Sequence, residues 1–143
     1  LAVGNILEEN GVNVIYTRTS DVYTSPAGKA AMANASGADY FLSIHRNSSP
    51  YDNQYTGVES LVYSKNGIAR TIAENINREL TRVGFVNQGI QERPNLAVLR
   101  RTDMPAVLVE VGFINTDKDN IRFDTQFQEI ARAIANGLLK SIS

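Results

Sequence analysis

The chain contains no cysteine, which excludes a disulfide framework and a thiolate metal site and leaves the redox compartment open. It holds a single histidine, His45, among 143 residues. Neither sign of charge prevails: 14 Lys and Arg stand against 15 Asp and Glu, a formal net charge of −1. That leaves no electrostatic case for nucleic acid or an anionic membrane surface as the main partner. No apolar run approaches the length that crosses a bilayer, and no signal peptide is visible. Repeats, low-complexity tracts and internal linkers are also missing. What is present is 43% hydrophobic and 20% charged, enough apolar material for one globular domain with a core and too short a chain for two.

Taken in order, Val3, Ile6 and Leu7 lie at helical spacing, and Asn10-Gly11 is a stop signal for a helix over residues 1–10. That helix has no start signal, so the chain is expected to enter in the middle of an element. Val12, Val14 and Tyr16 alternate and predict a strand over 12–17. Ser25-Pro26 is a helix entry, with serine as N-cap and proline in the first position, and Gly37 closes that helix. Tyr40 to Ile44 reads as a buried central strand, followed by a long polar loop over 46–56. Gly57 to Ser64 reads as a strand, and Ile68, Ile72, Ile76, Leu80 and Val83 mark one face of a long helix ending at Gly84. Residues 89–94 read as irregular, Leu96 to Leu99 as a short strand, and Ala106 to Val111 as a strand opened by Pro105. Thr125 and Gln128 fit a capping box for a last helix. Alternating strands and helices predict one α/β domain over 1–143. The expected architecture is a twisted central sheet of about five to six strands, flanked by helices on both faces.

Two strand ends carry groups suited to chemistry. Ser43-Ile44-His45-Arg46-Asn47 ends an apolar run in polar side chains, where open α/β sheets place their sites. The imidazole of His45 suits metal ligation or proton transfer there, and Asn47 could orient substrate through both halves of its amide. Glu110 interrupts a second apolar run, Ala106 to Phe113. A carboxylate there is costly unless paired, and in a cleft it acquires a raised pKa that suits a general base. An ion pair with Arg100 or Arg101 is the structural alternative. Arg46, Arg100 and Arg101 could meet an anionic substrate or lie in solvent. Glu59 could support the site or sit on an exposed edge, and Arg18 with Asp21 fits a turn clamp.

These residues, in this order, resemble the zinc-dependent N-acetylmuramoyl-L-alanine amidases of the amidase-3 family. The matching segments are Thr17 to Asp21, Ala33-Asn34, Ala38 to Asn47, Gly57-Val58-Glu59, Leu96 to Leu99, and Pro105 to Asn115. The Ser-Ile-His-x-Asn and Pro-Ala-Val-Leu-Val-Glu-Val-Gly-Phe blocks are specific in combination. The resemblance implies a peptidoglycan hydrolase that uses Zn2+ to cleave the amide between N-acetylmuramic acid and the L-alanine of the stem peptide. It implies His45 as a zinc ligand and Glu110 as the catalytic carboxylate; Asn47, Arg46 and Leu99 are the expected substrate-binding residues. It further implies work outside the cytoplasm on the bacterial wall, as a secreted enzyme or a phage endolysin; the sequence gives no oligomeric state, and a monomer is the expectation.

Two features depart from the family pattern. Its glycine-rich motif with the first zinc histidine, and its glutamate ligand, are absent, so a domain shortened at its N-terminus is expected. Weak or absent zinc binding by these 143 residues alone is expected with it. Lys29 stands where many relatives have arginine, which keeps the charge but changes the hydrogen-bond fork. The competing reading is a non-catalytic amidase-like module that binds peptidoglycan or a protein partner. A metal-free hydrolase using Glu110 with His45 is disfavoured, because no serine or threonine nucleophile is evident beside them.

Overall fold

The computed structural model describes residues 1–143. In chain order the elements are α1 (Ala2–Glu9), α2 (Pro26–Ser36), β1 (Phe41–Asn47), β2 (Val58–Val62), α3 (Ile68–Val83), β3 (Asn87–Glu92), α4 (Ala97–Arg100), β4 (Ala106–Phe113), α5 (Asp117–Thr125) and α6 (Phe127–Ile142). The sheet has four strands in the order β1-β4-β2-β3, fewer than the five to six expected. β1 runs parallel to β4 and β3 parallel to β2, while β2 and β4 are antiparallel.

Alternation along β4 sorts the two faces. Val107, Val109 and Val111 point with Val58 and Val62 into the main core, which is completed by Ile72, Ile76 and Leu80 of α3 and by Ile130, Ile134 and Leu138 of α6. The odd and even sides of a strand face opposite ways, so Ala106, Leu108 and Glu110 lie on the other face. There Leu61, Ala106 and Leu108 form a smaller cluster with Val98 and Leu99 of α4, against which Phe41 packs. α2 packs on α4, so helices flank both faces as expected. No helix is long and apolar enough to cross a membrane.

Gly137 sets how closely α6 approaches α3. A Cβ there would stand 2.6 Å from the Ile76 Cα, so the mid-helix glycine trades about 1 kcal/mol of helix propensity for close packing. The same two helices are tied by Glu79, 8% exposed. Its carboxylate accepts a hydrogen bond from the Lys140 ammonium and lies 3.3 Å from the Arg82 guanidinium. The Lys140 hydrogen bond, helped by both positive charges and opposed by burial, holds Glu79 below the usual carboxylate range. A depressed folded pKa means stability that is present above the unfolded pKa and lost as pH falls through the folded one. Glu79→Gln is therefore expected to cost about 1 kcal/mol in urea unfolding at pH 7, since both cations are exposed. The difference should vanish in strong acid. A gap that persists in acid contradicts this assignment.

Several elements differ from expectation for identifiable reasons. Val12 to Tyr16 forms no strand: Val12 and Val14 pack on the core, but no strand pairs with the segment, and the Val12 N–H bonds the Leu7 carbonyl at 3.0 Å. β1 is an edge strand rather than a central one, with Ile44 45% exposed. Leu96 to Leu99 turns into helix α4, because Val98 and Leu99 are neighbours that both bury in one cluster, and a strand would send them to opposite faces. β3 reads as irregular because Asn87 to Glu92 is polar and contains Gly89, yet it pairs with β2 at the sheet edge. The capping box at Thr125 does not form. The Thr125 hydroxyl instead donates to the Ile121 carbonyl at 2.7 Å, within the last turn of α5, and α6 starts at Phe127.

Candidate active site

The strand registers place three polar side chains in one row. His45 of β1 is paired with Glu110 of β4, and Glu110 is paired with Glu59 of β2. Directly paired residues project from the same face, with neighbouring strands about 4.8 Å apart. α4 covers the apolar part of that face, over Leu61, Ala106 and Leu108. The row beyond it stays open, with His45 exposed and Glu59 and Glu110 half-buried.

Local environment tunes the row. One oxygen of Glu110, Oε2, is buried and has no hydrogen-bond partner. Burial, and then the neighbouring Glu59 charge, push Glu110 above the usual carboxylate range. His45 moves the opposite way: burial and the Lys29 charge lower its pKa, so the imidazole is neutral at neutral pH and able to act as a ligand. Ser43, two residues back on the same face, shares a 2.8 Å hydrogen bond with His45 Nε2. That bond fixes the ring and leaves Nδ1 without a protein partner. Neither Glu110 nor Glu59 pairs with an arginine, so the structural alternative of an ion pair with Arg100 or Arg101 does not form.

The other site candidates separate. Asn47 ends β1, where the register shifts after His45. Its carbonyl accepts from the Ile114 N–H at 2.7 Å and its Oδ1 from the Ser48 N–H at 2.9 Å, while its Nδ2 has no protein partner. Arg46 is turned away from the row. Its guanidinium donates to the Val111 carbonyl at 2.6 Å and to Asn120 Oδ1 at 2.8 Å, and it stacks 4.2 Å from the Phe123 ring centroid. Every strand residue next to one facing the row faces the other way, and Arg46 here ties the end of β4 to α5. Leu99 is 3% exposed inside the α4 cluster; it supports the floor of this face, and its small exposed part lines a recess beside Arg100 rather than the row.

A rigid rim crosses the carboxyl end of β4, and sequence reasoning missed it. Asp119 is fully buried and accepts from the Thr56 hydroxyl at 2.7 Å, the Gly57 N–H at 3.0 Å and the Phe113 N–H at 2.9 Å. Gly112, at φ +73°, would bring a Cβ within 3.1 Å of the Asp119 side chain. Asn115 accepts from the Ser49 N–H and donates to the Ser49 carbonyl, and Asn53 caps the Asp117 N–H. Apart from Phe113, six positions from Asp119, each hydrogen-bond partner lies more than sixty positions away in sequence, and no local pattern announces such a pairing. Two recesses lie elsewhere. One of about 570 Å³ is lined by Tyr63, Ile68, Leu99, Arg100 and Met104, and one of about 240 Å³ lies between α3 and β3. The row of His45, Glu110 and Glu59 borders neither.

A catalytic zinc takes three protein ligands and a water. No three His, Cys, Asp or Glu side chains are grouped to hold a metal ion. The residues present therefore do not fit a complete zinc site: His45 offers one neutral ligand, and the carboxylates beside it are strung along the sheet.

The fold and this row define an α/β domain with an imidazole and a carboxylate side by side on neighbouring strands. The family model Amidase_3, N-acetylmuramoyl-L-alanine amidase, matches residues 1–140. The sporulation-specific N-acetylmuramoyl-L-alanine amidase of Bacillus subtilis is 40% identical over 144 residues, covering 96% of this chain and 54% of that protein. The N-acetylmuramoyl-L-alanine amidase CwlM of Bacillus licheniformis is 38% identical over 149 residues, covering 100% of this chain and 57% of that protein. The crystal structure of an N-acetylmuramoyl-L-alanine amidase from Clostridium difficile 630 superposes with a TM-score of 0.89 at 30% identity, covering 97% of this chain and 77% of that one. The chain belongs to the N-acetylmuramoyl-L-alanine amidase family, Amidase_3. It spans about half the length of the curated relatives it matches.

Proposed function

We propose that this domain hydrolyses the amide bond joining the lactyl group of N-acetylmuramic acid to the L-alanine of the stem peptide, outside the cytoplasm, on the bacterial cell wall. One observation carries the reading: His45 and Glu110 are paired across β1 and β4 on the open part of one sheet face. Glu110 has the environment of an acid–base group, half-buried and raised above the usual carboxylate range. In this reading it takes a proton from the attacking water and returns one to the leaving nitrogen. Ser43 holds the His45 ring in place, and Asn47 keeps its Nδ2 free to orient the substrate.

We further propose zinc as the metal of the working protein, with His45 as one of its ligands. Because these 143 residues group no three metal donors, calorimetry on them alone is expected to show no tight one-to-one zinc binding. A submicromolar site would contradict that. The same observation favours a second reading, a non-catalytic module that binds peptidoglycan. End-group analysis of purified walls treated with the full-length protein decides between the two. New amino-terminal L-alanine, with no new reducing sugar ends and sensitive to chelator, supports the amidase; wall binding without new amino termini supports the module.

A further inference from the structure

From the strand order we infer that Glu59 is a substrate-positioning carboxylate that receives the nitrogen end of the cleaved bond. This inference rests on the amidase reading. Glu59 sits directly opposite Glu110 on the same face, on the side away from His45. It is half-buried, forms no ion pair, and accepts no hydrogen bond from the protein. A carboxylate so placed, beside a second one and with no protein cation between them, calls for a donor from outside.

The order β1-β4-β2-β3 gives that donor a direction. With His45 at the carbonyl side and Glu110 at the proton transfer, the chain leaving on nitrogen runs over β2. In the reaction, water oxygen bonds to the lactyl carbonyl carbon and the C–N bond breaks. Both water protons end on nitrogen, leaving a lactyl carboxylate and an α-ammonium. The substrate N–H and then the product ammonium fall beside Glu59, which accepts their hydrogen bonds as a charge-assisted pair. The glycan is thereby assigned to the β1 side and the stem peptide to the β2 and β3 side.

The test uses the full-length, zinc-loaded protein hydrolysing purified walls, with a synthetic stem tripeptide beginning in L-alanine as inhibitor, its α-amino group free or acetylated. The wild-type protein is expected to prefer the free amine by about tenfold. Glu59→Gln should bring that ratio close to one, and Glu59→Asp, which keeps the charge on a shorter arm, should restore part of it. A merely structural glutamate would change stability or kcat without changing this ratio, and an unchanged ratio in Glu59→Gln overturns the inference. Should Glu59→Gln fail to fold, the wild-type protein decides: an acetylated peptide as potent an inhibitor as the free amine overturns the inference as well. If the wild-type protein releases no amino-terminal alanine, the amidase reading itself fails. If it does release it and the ratio is insensitive to Glu59, only the role of Glu59 fails.

Discussion

Glu110→Gln is expected to lower wall hydrolysis by the full-length protein about a thousandfold in kcat, with little change in KM. Glutamine keeps the shape and one acceptor but can neither take nor return a proton. The variant should fold at least as well as the wild type, and this separates a lost reaction from a lost structure. Glu110 is raised above the ordinary carboxylate range by burial and by Glu59, so the fold favours its protonated form. Its support for folding is complete below the unfolded pKa and is lost as pH rises through the folded pKa. At pH 7 glutamine removes that disfavoured charge, and the melting temperature should hold or rise. The gap should close as pH is brought down into the ordinary carboxylate range. Dye release from labelled walls gives the first half of the result and thermal melts at two pH values give the second.

Asp119→Ala is expected to be the most damaging single change to the architecture, at about 3 kcal/mol or more. The carboxylate is 0% exposed and accepts three hydrogen bonds, two of them from the main-chain N–H groups of Gly57 and Phe113. Truncation leaves both donors buried and unpaired, at about 1–3 kcal/mol each. It also removes a negative charge near the Arg46 guanidinium, which is itself held against the Val111 carbonyl and Asn120. Asp119→Asn keeps one acceptor oxygen and should cost less. Because Gly57 opens β2 and Phe113 closes β4, the loosened variant should lose activity as well as stability. Urea unfolding checks the order: alanine below asparagine below wild type. Equal stability for all three would mean that this buried carboxylate is not the pin that its hydrogen bonds describe.

The legibility of the chain in sequence tracks how local each determinant is. β4 was readable because Ala106 to Phe113 is a continuous apolar run, and Glu110 was conspicuous because it breaks that run. α2 announced itself through Ser25, whose hydroxyl does accept from the Gly28 N–H at 3.0 Å. His45 stood out as the lone imidazole at a strand end. Its pairing with Glu110 could not be read, because parallel pairing joins strands more than sixty residues apart through main-chain groups common to every residue. The surroundings of Arg46 were hidden for the same reason. Charge at a strand end reads as a ligand contact, while its partners, Val111 and Asn120, come from distant segments. α5 stayed hidden because Asp117-Lys118-Asp119-Asn120 looks like a polar loop, and its buried residue is an aspartate rather than an aliphatic side chain.

A double-mutant cycle on His45 and Glu110 tests the central claim most directly. Turnover on purified walls is measured for the full-length wild type, His45→Ala, Glu110→Gln and the double variant. If the two side chains act on one bond from neighbouring strands, the double variant should be no slower than the worse single variant, because the second removal takes away nothing that still functions. Losses that multiply, or either single variant with undiminished turnover, would contradict a shared reaction centre on this face of the sheet.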